Sequence, residues 1–486
     1  MAQSGVLMHI SSLPSKYGIG SLGREAFRFV DFVKNSGLSI WQVLPISPTS
    51  CGDSPYQGSS TFAGNPYFID LELLFEDGLL TEEELESAVY DGNPEKVDYS
   101  RLYNERESLL RKAFSRASME LQTESLAFAA NEKWLRDYAQ YMVRKKHFGE
   151  KPWQEWDEEG YEIDQHELRY YEFEQYIFFK QWNALKEYAN KNGVLLMGDM
   201  PIYVALDSAD VWANPRDFEL DAKGKPVCVA GVPPDYFSEN GQRWGNPLYD
   251  WKHMEQTGFY WWRERMRVAA KRYNIVRIDH FIGMVRFYSI PAEAETAKEG
   301  VWRRGPGIKL FQAVADVTQN LTIIAEDLGI VTQQVKALLK KLNLSGMKVL
   351  QFAFGSDKRN PHLPHNIREE AVLYTGTHDN DTMLGWWKNA SEYEKENARM
   401  YLGQLDESNV CFAMIEEAFA SRANTVIIPM QDFLELSSDA RMNTPSTVEG
   451  NWQWRMKEGQ ATPALSDRIL RLNQLYRRNA QHEDGQ

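Results

Sequence analysis

The segment from Glu255 to His280 reads EQTGFYWWRERMRVAAKRYNIVRIDH, and it contains the repeating unit that decides the fold. Residues 255–272 alternate charged and apolar side chains at helical spacing, which predicts an amphipathic helix. The apolar run at 275–278 is too short for a helix and predicts a buried strand. Polar side chains follow that run at once. The segment therefore predicts a helix that leads into a buried strand with a polar end.

Short apolar runs of the same kind recur along the chain between charged segments of helical period. A parallel sheet produces this pattern, because helices cover both of its faces and bury its strands. The eight runs lie at 5–10, 40–45, 194–200, 275–278, 321–325, 347–353, 371–375 and 425–429, and predicted helices lie at 24–34, 255–272, 307–318 and 332–342. A count of eight favours a closed barrel over an open sheet. The sequence therefore predicts an α/β fold, a (β/α)8 TIM barrel.

The spacing of the eight runs is uneven, which indicates insertions. Residues 70–165 separate the second and third strands and are rich in Glu, Lys, Arg and Leu at helical period, so we expect an inserted helical subdomain after strand 2. Residues 203–251 are crowded with Pro, Gly, Asp and aromatic residues, which predicts a loop-rich active-site subdomain after strand 3. We expect a single barrel domain over 1–486 and no C-terminal β-sandwich, because no strand-rich sequence follows the eighth run.

Composition and charge exclude several classes of partner. The chain has 54 Lys and Arg against 69 Asp and Glu, and a net charge of −15 argues against nucleic acid. Its apolar runs are far shorter than the roughly 20 residues of a membrane helix, and no secretory signal precedes them. Three cysteines, odd in number and far apart, fit neither a disulfide framework nor a zinc site. We expect a cytoplasmic protein with no membrane segment.

Carboxylates follow five of the eight predicted strands, at the points where the strands end. They are Asp199 after the third strand, Asp279 after the fourth, Glu326 and Asp327 after the fifth, Asp379 after the seventh and Asp432 after the eighth. The active-site residues of such barrels lie at these strand ends. A single acid there is as often an ordinary loop residue, whereas acids after five of the eight strands are harder to explain in that way. Carboxylates that converge on one mouth suit either a hard-metal site or chemistry at a glycosidic bond.

The aromatic content favours the second of these chemistries. Aromatic residues make up 13% of the chain, and Trp and Tyr side chains in loops provide flat surfaces for sugar rings. Metal-dependent phosphoryl chemistry would also need a phosphate cradle. The glycine-rich stretch YGIGSLG at 17–23 does not directly follow a strand, so it fails the context that a nucleotide site requires. Acid–base and nucleophilic work on a sugar is therefore the favoured interpretation.

Five long motifs, in order along the whole chain, resemble those of the amylomaltase family, the 4-α-glucanotransferases of glycoside hydrolase family 77 in the α-amylase superfamily. The motifs are SPYQGSSTFAGNP from Ser54, GVPPDYFSENGQRWGNPLYDW from Gly231, VRIDHF from Val276, AEDLG from Ala325 and THDND from Thr377. The resemblance implies an enzyme that transfers a segment of a 1,4-α-D-glucan to the 4-hydroxyl of an acceptor glucose or maltooligosaccharide. It also implies a retaining double-displacement mechanism.

The resemblance implies catalytic roles for three carboxylates. Asp279 is the expected nucleophile, Glu326 the general acid/base, and Asp379 the group that holds and distorts the donor sugar. A retaining mechanism needs an ionised and a protonated carboxyl group about 5 to 5.5 Å apart. Arg277 lies two residues before Asp279 on one strand face and is expected to keep that aspartate ionised. Glu326, near two anions in a partly dry pocket, is expected to favour the neutral acid.

The resemblance also implies a set of sugar-binding residues around these acids. His378 and Asp199 are expected to hydrogen-bond the donor sugar, although polar bracing of the strand ends is the alternative for both. The aromatic members are expected to stack on the sugar or form a lid, with packing as their alternative. The expected substrate-binding residues are Tyr56, Asp199, Tyr236, Phe237, Trp244, Arg277, His378 and Asn451. Trp452 is a further candidate at the rim.

No cofactor and no metal site is expected. The expected partners are maltooligosaccharides and α-1,4-glucans, with glucose as an acceptor, and the protein is expected to be a monomer or small homo-oligomer. One alternative is an α-1,4-glucan hydrolase of the same superfamily that uses the same carboxylates. Another is a catalytically silent glucan-binding protein on a barrel scaffold. The intact set of three acids argues against a catalytically silent protein, because binding alone does not require buried acids that cost stability.

Overall fold

The computed structural model describes residues 2–50, 52–234 and 239–478 of the chain. Twelve β-strands lie in this described part, in two sheets. The strands are β1 (Gln3–Leu7), β2 (Ile40–Gln42), β3 (Leu195–Met200), β4 (Cys228–Val232), β5 (Gln242–Pro247), β6 (Ile275–Ile278), β7 (Arg286–Pro291), β8 (Val301–Arg304), β9 (Thr322–Ala325), β10 (Ser345–Val349), β11 (Val372–Tyr374) and β12 (Thr425–Pro429). Eight of them close into a parallel barrel in the order β1-β12-β11-β10-β9-β6-β3-β2. The predicted TIM barrel is therefore confirmed.

Seventeen α-helices in the described residues alternate with the strands or build the insertions. They are α1 (Arg24–Asn35), α2 (Leu71–Glu76), α3 (Glu82–Ser87), α4 (Tyr99–Ser115), α5 (Met119–Asn131), α6 (Lys133–His147), α7 (Gln165–Lys191), α8 (Ala209–Ala213), α9 (Trp251–Gln256), α10 (Tyr260–Arg272), α11 (Ile308–Val314), α12 (Gln333–Leu342), α13 (Met383–Asn389), α14 (Glu392–Leu402), α15 (Val410–Ala420), α16 (Met430–Phe433) and α17 (Pro463–Leu475). None of the helices in this part of the chain is long and apolar enough to cross a membrane.

Each predicted apolar run overlaps one barrel strand, and the runs at 275–278 and 425–429 match β6 and β12 residue for residue. The strands are buried on both faces, as the short apolar runs predicted; every residue of β2, β6 and β11 is buried. The predicted helix at 255–272 is instead two helices, α9 and α10. Gly258 and Phe259 between them have φ values of +67° and +56°, a left-handed conformation that ends a right-handed helix.

Helices α2 to α6 lie between β2 and β3, where the sequence predicted a helical insertion, and the long helix α7 returns the chain to the barrel. Gln175 on α7 accepts from the backbone N–H of Gly64 at 2.7 Å and donates to its carbonyl at 3.0 Å. Gln181, two turns later, holds the backbone of Asp70 in the same way. Helix α7 therefore fixes the loop that follows β2.

The segment 203–251, predicted to be rich in loops, also contains regular structure. Its strands β4 and β5 join β7 and β8, which follow β6, in an antiparallel sheet of order β5-β4-β7-β8. Glycine and proline in such short strands obscure the alternation of polar and apolar residues that reveals a strand in sequence. The chain excursions after β3 and after β6 therefore form one small sheet, and side chains of β5 border the cleft described next.

Candidate active site

Three carboxylates follow three barrel strands and line one cleft. Asp279 comes directly after β6, Glu326 directly after β9, and Asp379 follows β11 after a short turn. Parallel strands present their carboxyl ends at one mouth of a barrel, so these side chains meet there. The cleft has a volume of about 360 Å³. The structure thus brings together the three acids for which the sequence predicted catalytic roles.

Arg277 joins two of the strand-end acids beneath the cleft. Its Nη1 donates to Oδ2 of Asp199 at 2.5 Å, and its Nη2 donates to Oδ1 of Asp279 at 2.9 Å. The side chain is only 4% exposed. Burial by itself lowers the pKa of the guanidinium, but the two carboxylates outweigh burial and hold that pKa well above its usual value. Arg277 therefore supplies a permanent positive charge to Asp279.

Asp199 is buried behind Arg277 and does not itself line the cleft. Burial raises the pKa of its carboxyl group, and the charge of Arg277 opposes that rise. Oδ2 also accepts from the Tyr56 hydroxyl at 2.9 Å, whereas Oδ1 has no hydrogen-bond partner within the described residues. In this arrangement Asp199 makes the contacts of a bracing group, which holds both Arg277 and Tyr56 in place.

Glu326 has the electrostatic environment of a proton donor. It is buried, and burial raises the pKa of its carboxyl group to about 7, with the negative charge of Asp279 acting in the same direction. Arg277 opposes this rise, as do backbone N–H groups of Leu328 and His280, which donate to Oε1 and Oε2 at 2.7 Å each. A carboxyl group with a pKa near neutrality can hold a proton and release it at working pH.

His280 is a cleft residue that our sequence reasoning did not assign to the site. It adopts a left-handed conformation, with φ of 48° and ψ of 48°, and this turn after β6 directs its N–H at Glu326. Its imidazole packs edge to face against the Trp244 ring, with the ring centroids 4.9 Å apart. Burial lowers the pKa of the imidazole. The sequence signal that could have identified His280 is its position at the polar end of the motif VRIDH. Trp244, which was predicted, also lines the cleft.

Three rings form the wall of the cleft beside Asp379. The rings of Tyr56 and His378 stack with their centroids 5.0 Å apart and an angle of 19° between their planes. Trp452 tilts against both, at 5.6 Å from Tyr56 and 5.9 Å from His378. All three line the cleft, and an aromatic wall of this kind suits the face of a sugar ring. The predicted residues Tyr56 and His378 are therefore placed together.

Asp379 is the most exposed of the three acids, with 45% of its side chain accessible. The Asn443 amide donates to its Oδ1 at 2.7 Å, and Nε2 of His378 lies 3.4 Å from the same oxygen. Arg441 donates to its backbone carbonyl at 2.7 Å. Asn443 lines the cleft but was missed, since nothing in the loop after the eighth strand distinguishes it from its neighbours in sequence.

Among the described residues, Asn451 and two of the strand-end acids do not line the cleft. The Asn451 amide accepts from the N–H of Thr444 at 2.8 Å and donates to Thr447, so it holds its own loop and does not line the cleft. Tyr236 and Phe237 lie outside the described residues. Two strand-end acids have structural contacts instead: Asp327 accepts from the N–H of Met347, and Asp432 accepts from Thr375 and from the N–H of Met383.

The arrangement suits chemistry at a glycosidic bond. It combines a carboxylate beside a permanent cation with a buried carboxyl group that holds a proton near neutral pH, and it adds an aromatic wall for a sugar ring. Within the ranges described, no group of three or more His, Cys, Asp or Glu side chains is arranged to hold a metal ion. The pairing of Arg277 with Asp279 and the raised pKa of Glu326 favour proton transfer and nucleophilic attack.

Comparison with known proteins agrees with this geometry. A family model described as 4-alpha-glucanotransferase matches residues 8–462. A 4-alpha-glucanotransferase of Streptococcus pneumoniae is 47% identical over 491 residues, which cover 98% of this chain and 97% of the relative. A protein of the same name from Clostridium butyricum is 44% identical and is covered completely, with 97% of this chain aligned.

Comparison with solved structures agrees with the match to 4-alpha-glucanotransferases. The amylomaltase of Streptococcus agalactiae, solved in complex with acarbose, superimposes with a TM-score of 0.95 at 38% identity. The match covers 99% of this chain and 100% of that chain. The amylomaltase of Corynebacterium glutamicum shares the fold with a TM-score of 0.81 at 20% identity, over 99% of this chain and 75% of its own.

Proposed function

Since the chain belongs to the 4-alpha-glucanotransferase family, we propose that Asp279, Glu326 and Asp379 carry out its transfer reaction on α-1,4-glucans. The reaction moves a glucan segment from a donor to the 4-hydroxyl of an acceptor sugar. The single observation that supports these residue roles is the Arg277 bridge, which places a buried cation beside Asp279. Glu326 lies in the same cleft and holds its proton to near-neutral pH.

In the first step Asp279 attacks the anomeric carbon of the donor. Glu326 gives its proton to the oxygen of the glycosidic bond as that bond breaks, so the leaving sugar departs as a neutral alcohol. The donor segment stays bound to the carboxylate of Asp279 as a glycosyl ester. Asp379, oriented by Asn443, holds hydroxyl groups of the donor ring while the ring flattens towards the oxocarbenium-like state.

In the second step the acceptor replaces the sugar that has left. Its 4-hydroxyl gives a proton to the Glu326 carboxylate and attacks the same anomeric carbon, which frees Asp279. Two inversions at one carbon retain the α configuration. Tyr56, His378 and Trp452 supply the wall against which the donor ring lies, by their stacked arrangement beside Asp379.

Transfer requires that a sugar, rather than water, captures the glycosyl-enzyme. Trp244 borders the cleft on the side of His280, whose N–H is bound to Glu326. Since Glu326 serves the leaving and entering oxygens, we assign this side to the acceptor. An indole face there binds and orients a sugar ring, and it limits ordered water near the anomeric carbon. The sugar-binding roles predicted for Tyr236 and Phe237 belong to the same proposal.

Incubation of the purified protein with maltotriose tests this function. Glucose and longer glucans are expected to accumulate together, with little net gain in reducing ends, because transfer conserves glycosidic bonds. Release of reducing ends in step with bond cleavage would instead establish the hydrolase. Glucose as an acceptor, a monomeric or small homo-oligomeric state and a cytoplasmic location belong to the same proposal. Exchange of labelled glucose, light scattering and cell fractionation test them separately.

A further inference from the structure

Two amide side chains connect opposite parts of the cleft. Nε2 of Gln57 donates to Oδ1 of Asn246 at 3.0 Å, and Nδ2 of Asn246 donates to Oε1 of Gln57 at 3.2 Å. Gln57 belongs to the loop after β2, and Asn246 belongs to β5 of the small sheet. Both side chains line the cleft. We call this reciprocal pair the amide clasp.

A third hydrogen bond fixes the orientation of the clasp. Nδ2 of Asn246 also donates to the backbone carbonyl of Val204 at 2.9 Å, and Asn246 is only 5% exposed. A carbonyl cannot donate, so this contact assigns the nitrogen end of the Asn246 amide and therefore its oxygen end. The orientation of the Gln57 amide follows from that assignment. The clasp is thus held rigidly from the side of the small sheet.

The clasp joins the two walls that the proposed mechanism uses. Gln57 directly follows Tyr56, whose ring belongs to the wall beside Asp379. Asn246 follows Trp244 by two residues on β5, and Trp244 forms the acceptor side against His280. A contact between residues 189 positions apart in the chain therefore links the donor wall to the acceptor wall.

The clasp also leaves hydrogen-bonding capacity on Gln57. Each amide has two N–H groups and two acceptor lone pairs. Among the contacts of the described residues, Gln57 uses one Nε2 hydrogen and one Oε1 lone pair on Asn246. The remaining N–H and lone pair of this half-buried side chain match adjacent hydroxyl groups of a glucose ring, each of which both donates and accepts.

On this basis we propose that Gln57, held by Asn246, is a specificity-determining residue that favours a sugar acceptor over water. The proposal rests on the proposed transferase function. A sugar must meet aligned groups on both walls to place its 4-hydroxyl, and the clasp keeps those walls aligned before the sugar arrives. A water molecule needs no such alignment. Loss of the clasp should therefore slow transfer more than hydrolysis.

The test is a double-mutant cycle on the product partition. Gln57→Met, Asn246→Leu and the double variant are incubated with maltotriose, and the hydrolysed fraction is measured as reducing ends gained per bond cleaved. Each single variant is expected to raise that fraction about three- to tenfold, the usual effect of one or two hydrogen bonds. The double variant should match the single variants rather than multiply their effects, because all three lose the same contact.

Gln154→Met is the matched control. Gln154 donates to the carbonyl of Gly224 at 3.2 Å, outside the cleft, and its replacement should leave the hydrolysed fraction unchanged. The kcat/KM for release of fluoride from α-glucosyl fluoride reports the first step alone, and it should change less than the partition. If Asn246→Leu loses thermal stability, Gln57→Met decides the test, since it leaves the bond from Asn246 to Val204 intact.

Two results would contradict the proposed role of the amide clasp while leaving the transferase function in place. One is an unchanged hydrolysed fraction in folded Gln57→Met, and the other is multiplication of the two single effects in the double variant. Failure of the proposed function is recognised separately, because the unmodified protein would then release reducing ends in step with cleavage of maltotriose.

Discussion

Nη2 of Arg277 lies 2.9 Å from Oδ1 of Asp279, and both residues come from one strand and its first following position. Side chains two residues apart on a strand point to the same face, so β6 alone is enough to form this pair. The other terminal nitrogen of Arg277 holds Asp199, which comes from the neighbouring strand β3. A permanent positive charge therefore lies beside the proposed nucleophile without any contribution from the insertions.

Replacement of Arg277 by Met is expected to lower kcat/KM by at least about 100-fold. It should also lower the free energy of unfolding by about 3 to 5 kcal/mol at neutral pH, since it leaves buried carboxylates without their counter-charge. Burial would then raise the pKa of Asp199 further, and a group with a raised pKa loses its stabilising effect as pH rises. Urea unfolding should thus show that Arg277→Met lowers the free energy of unfolding less at pH 5 than at pH 8.

Arg303→Met is the control for that experiment. Arg303 pairs with Glu219 but is 39% exposed, so its loss should cost less than about 1 kcal/mol at either pH. Equal destabilisation of Arg277→Met at pH 5 and pH 8 would contradict the account of a buried charge bridge.

Replacement of Asp279 by Asn is expected to abolish turnover of maltotriose by several powers of ten. The change removes the nucleophile but keeps nearly the same volume, so the melting temperature should remain close to that of the unmodified protein. Asp432→Asn provides a comparison, because this buried strand-end acid binds Thr375 and Met383 instead of lining the cleft. It should lower the melting temperature and leave turnover per folded molecule largely intact. Substantial activity in Asp279→Asn would exclude its proposed role.

Replacement of Glu326 by Gln is expected to damage turnover of maltotriose far more than release of fluoride from α-glucosyl fluoride. Fluoride leaves with little need for a proton, whereas a sugar oxygen needs a general acid. The two rates are measured side by side on the same preparation. An equal loss with both donors would move the acid/base role to another residue.

The pH dependence of the same site is a separate prediction. Because the pKa of Glu326 is raised to about 7, its acid form disappears as pH rises through that value, and kcat/KM for maltotriose should fall there. A raised pKa contributes stability that is complete below the unfolded value and is lost as pH rises through about 7. Glu326→Gln removes this dependence, so its melting temperature relative to the unmodified protein should be higher at pH 8 than at pH 5. If the melting temperatures of Glu326→Gln and the unmodified protein differ by the same amount at pH 5 and pH 8, the raised pKa of Glu326 is refuted.

Replacement of Asp379 by Asn is expected to lower kcat more than it raises the dissociation constant of the donor. Hydrogen bonds from this carboxylate to the sugar should strengthen as the ring flattens in the transition state. Asn443→Ala removes the donor that orients Oδ1 of Asp379, and it should produce the same pattern to a smaller extent. A change confined to donor binding, measured by calorimetry on inactive Asp279→Asn backgrounds, would argue against this role.

Treatment with a chelator is expected to leave activity unchanged. The proposed mechanism assigns the acids at the barrel mouth to protons or sugar hydroxyls and needs no Lewis acid. The protein is dialysed against EDTA and assayed with maltotriose before and after addition of Mg²⁺, Mn²⁺ or Ca²⁺. Activity that disappears and returns with one of these ions would reveal a metal role.

The barrel and its acids were accessible from sequence because both depend on local patterns. Runs of apolar residues too short for helices indicated the strands, and carboxylates after those runs indicated the mouth. The same reasoning did not distinguish the structural acids Asp327 and Asp432 from the acids in the cleft. All follow strands, and only their contacts show that these two bind backbone or side chains nearby.

The sequence by itself determined the order of the strands, the positions of Asp279, Glu326 and Asp379, and the pairing of Arg277 with Asp279, since each rests on residues close together in the chain. The tertiary structure alone decided the contacts that join distant segments. Arg277 reaches Asp199 across 78 positions, the N–H of His280 reaches Glu326 across 46, and Gln57 reaches Asn246 across 189. These contacts exist only after the barrel closes and the small sheet docks beside it, because no local pattern encodes the distance between two strand ends.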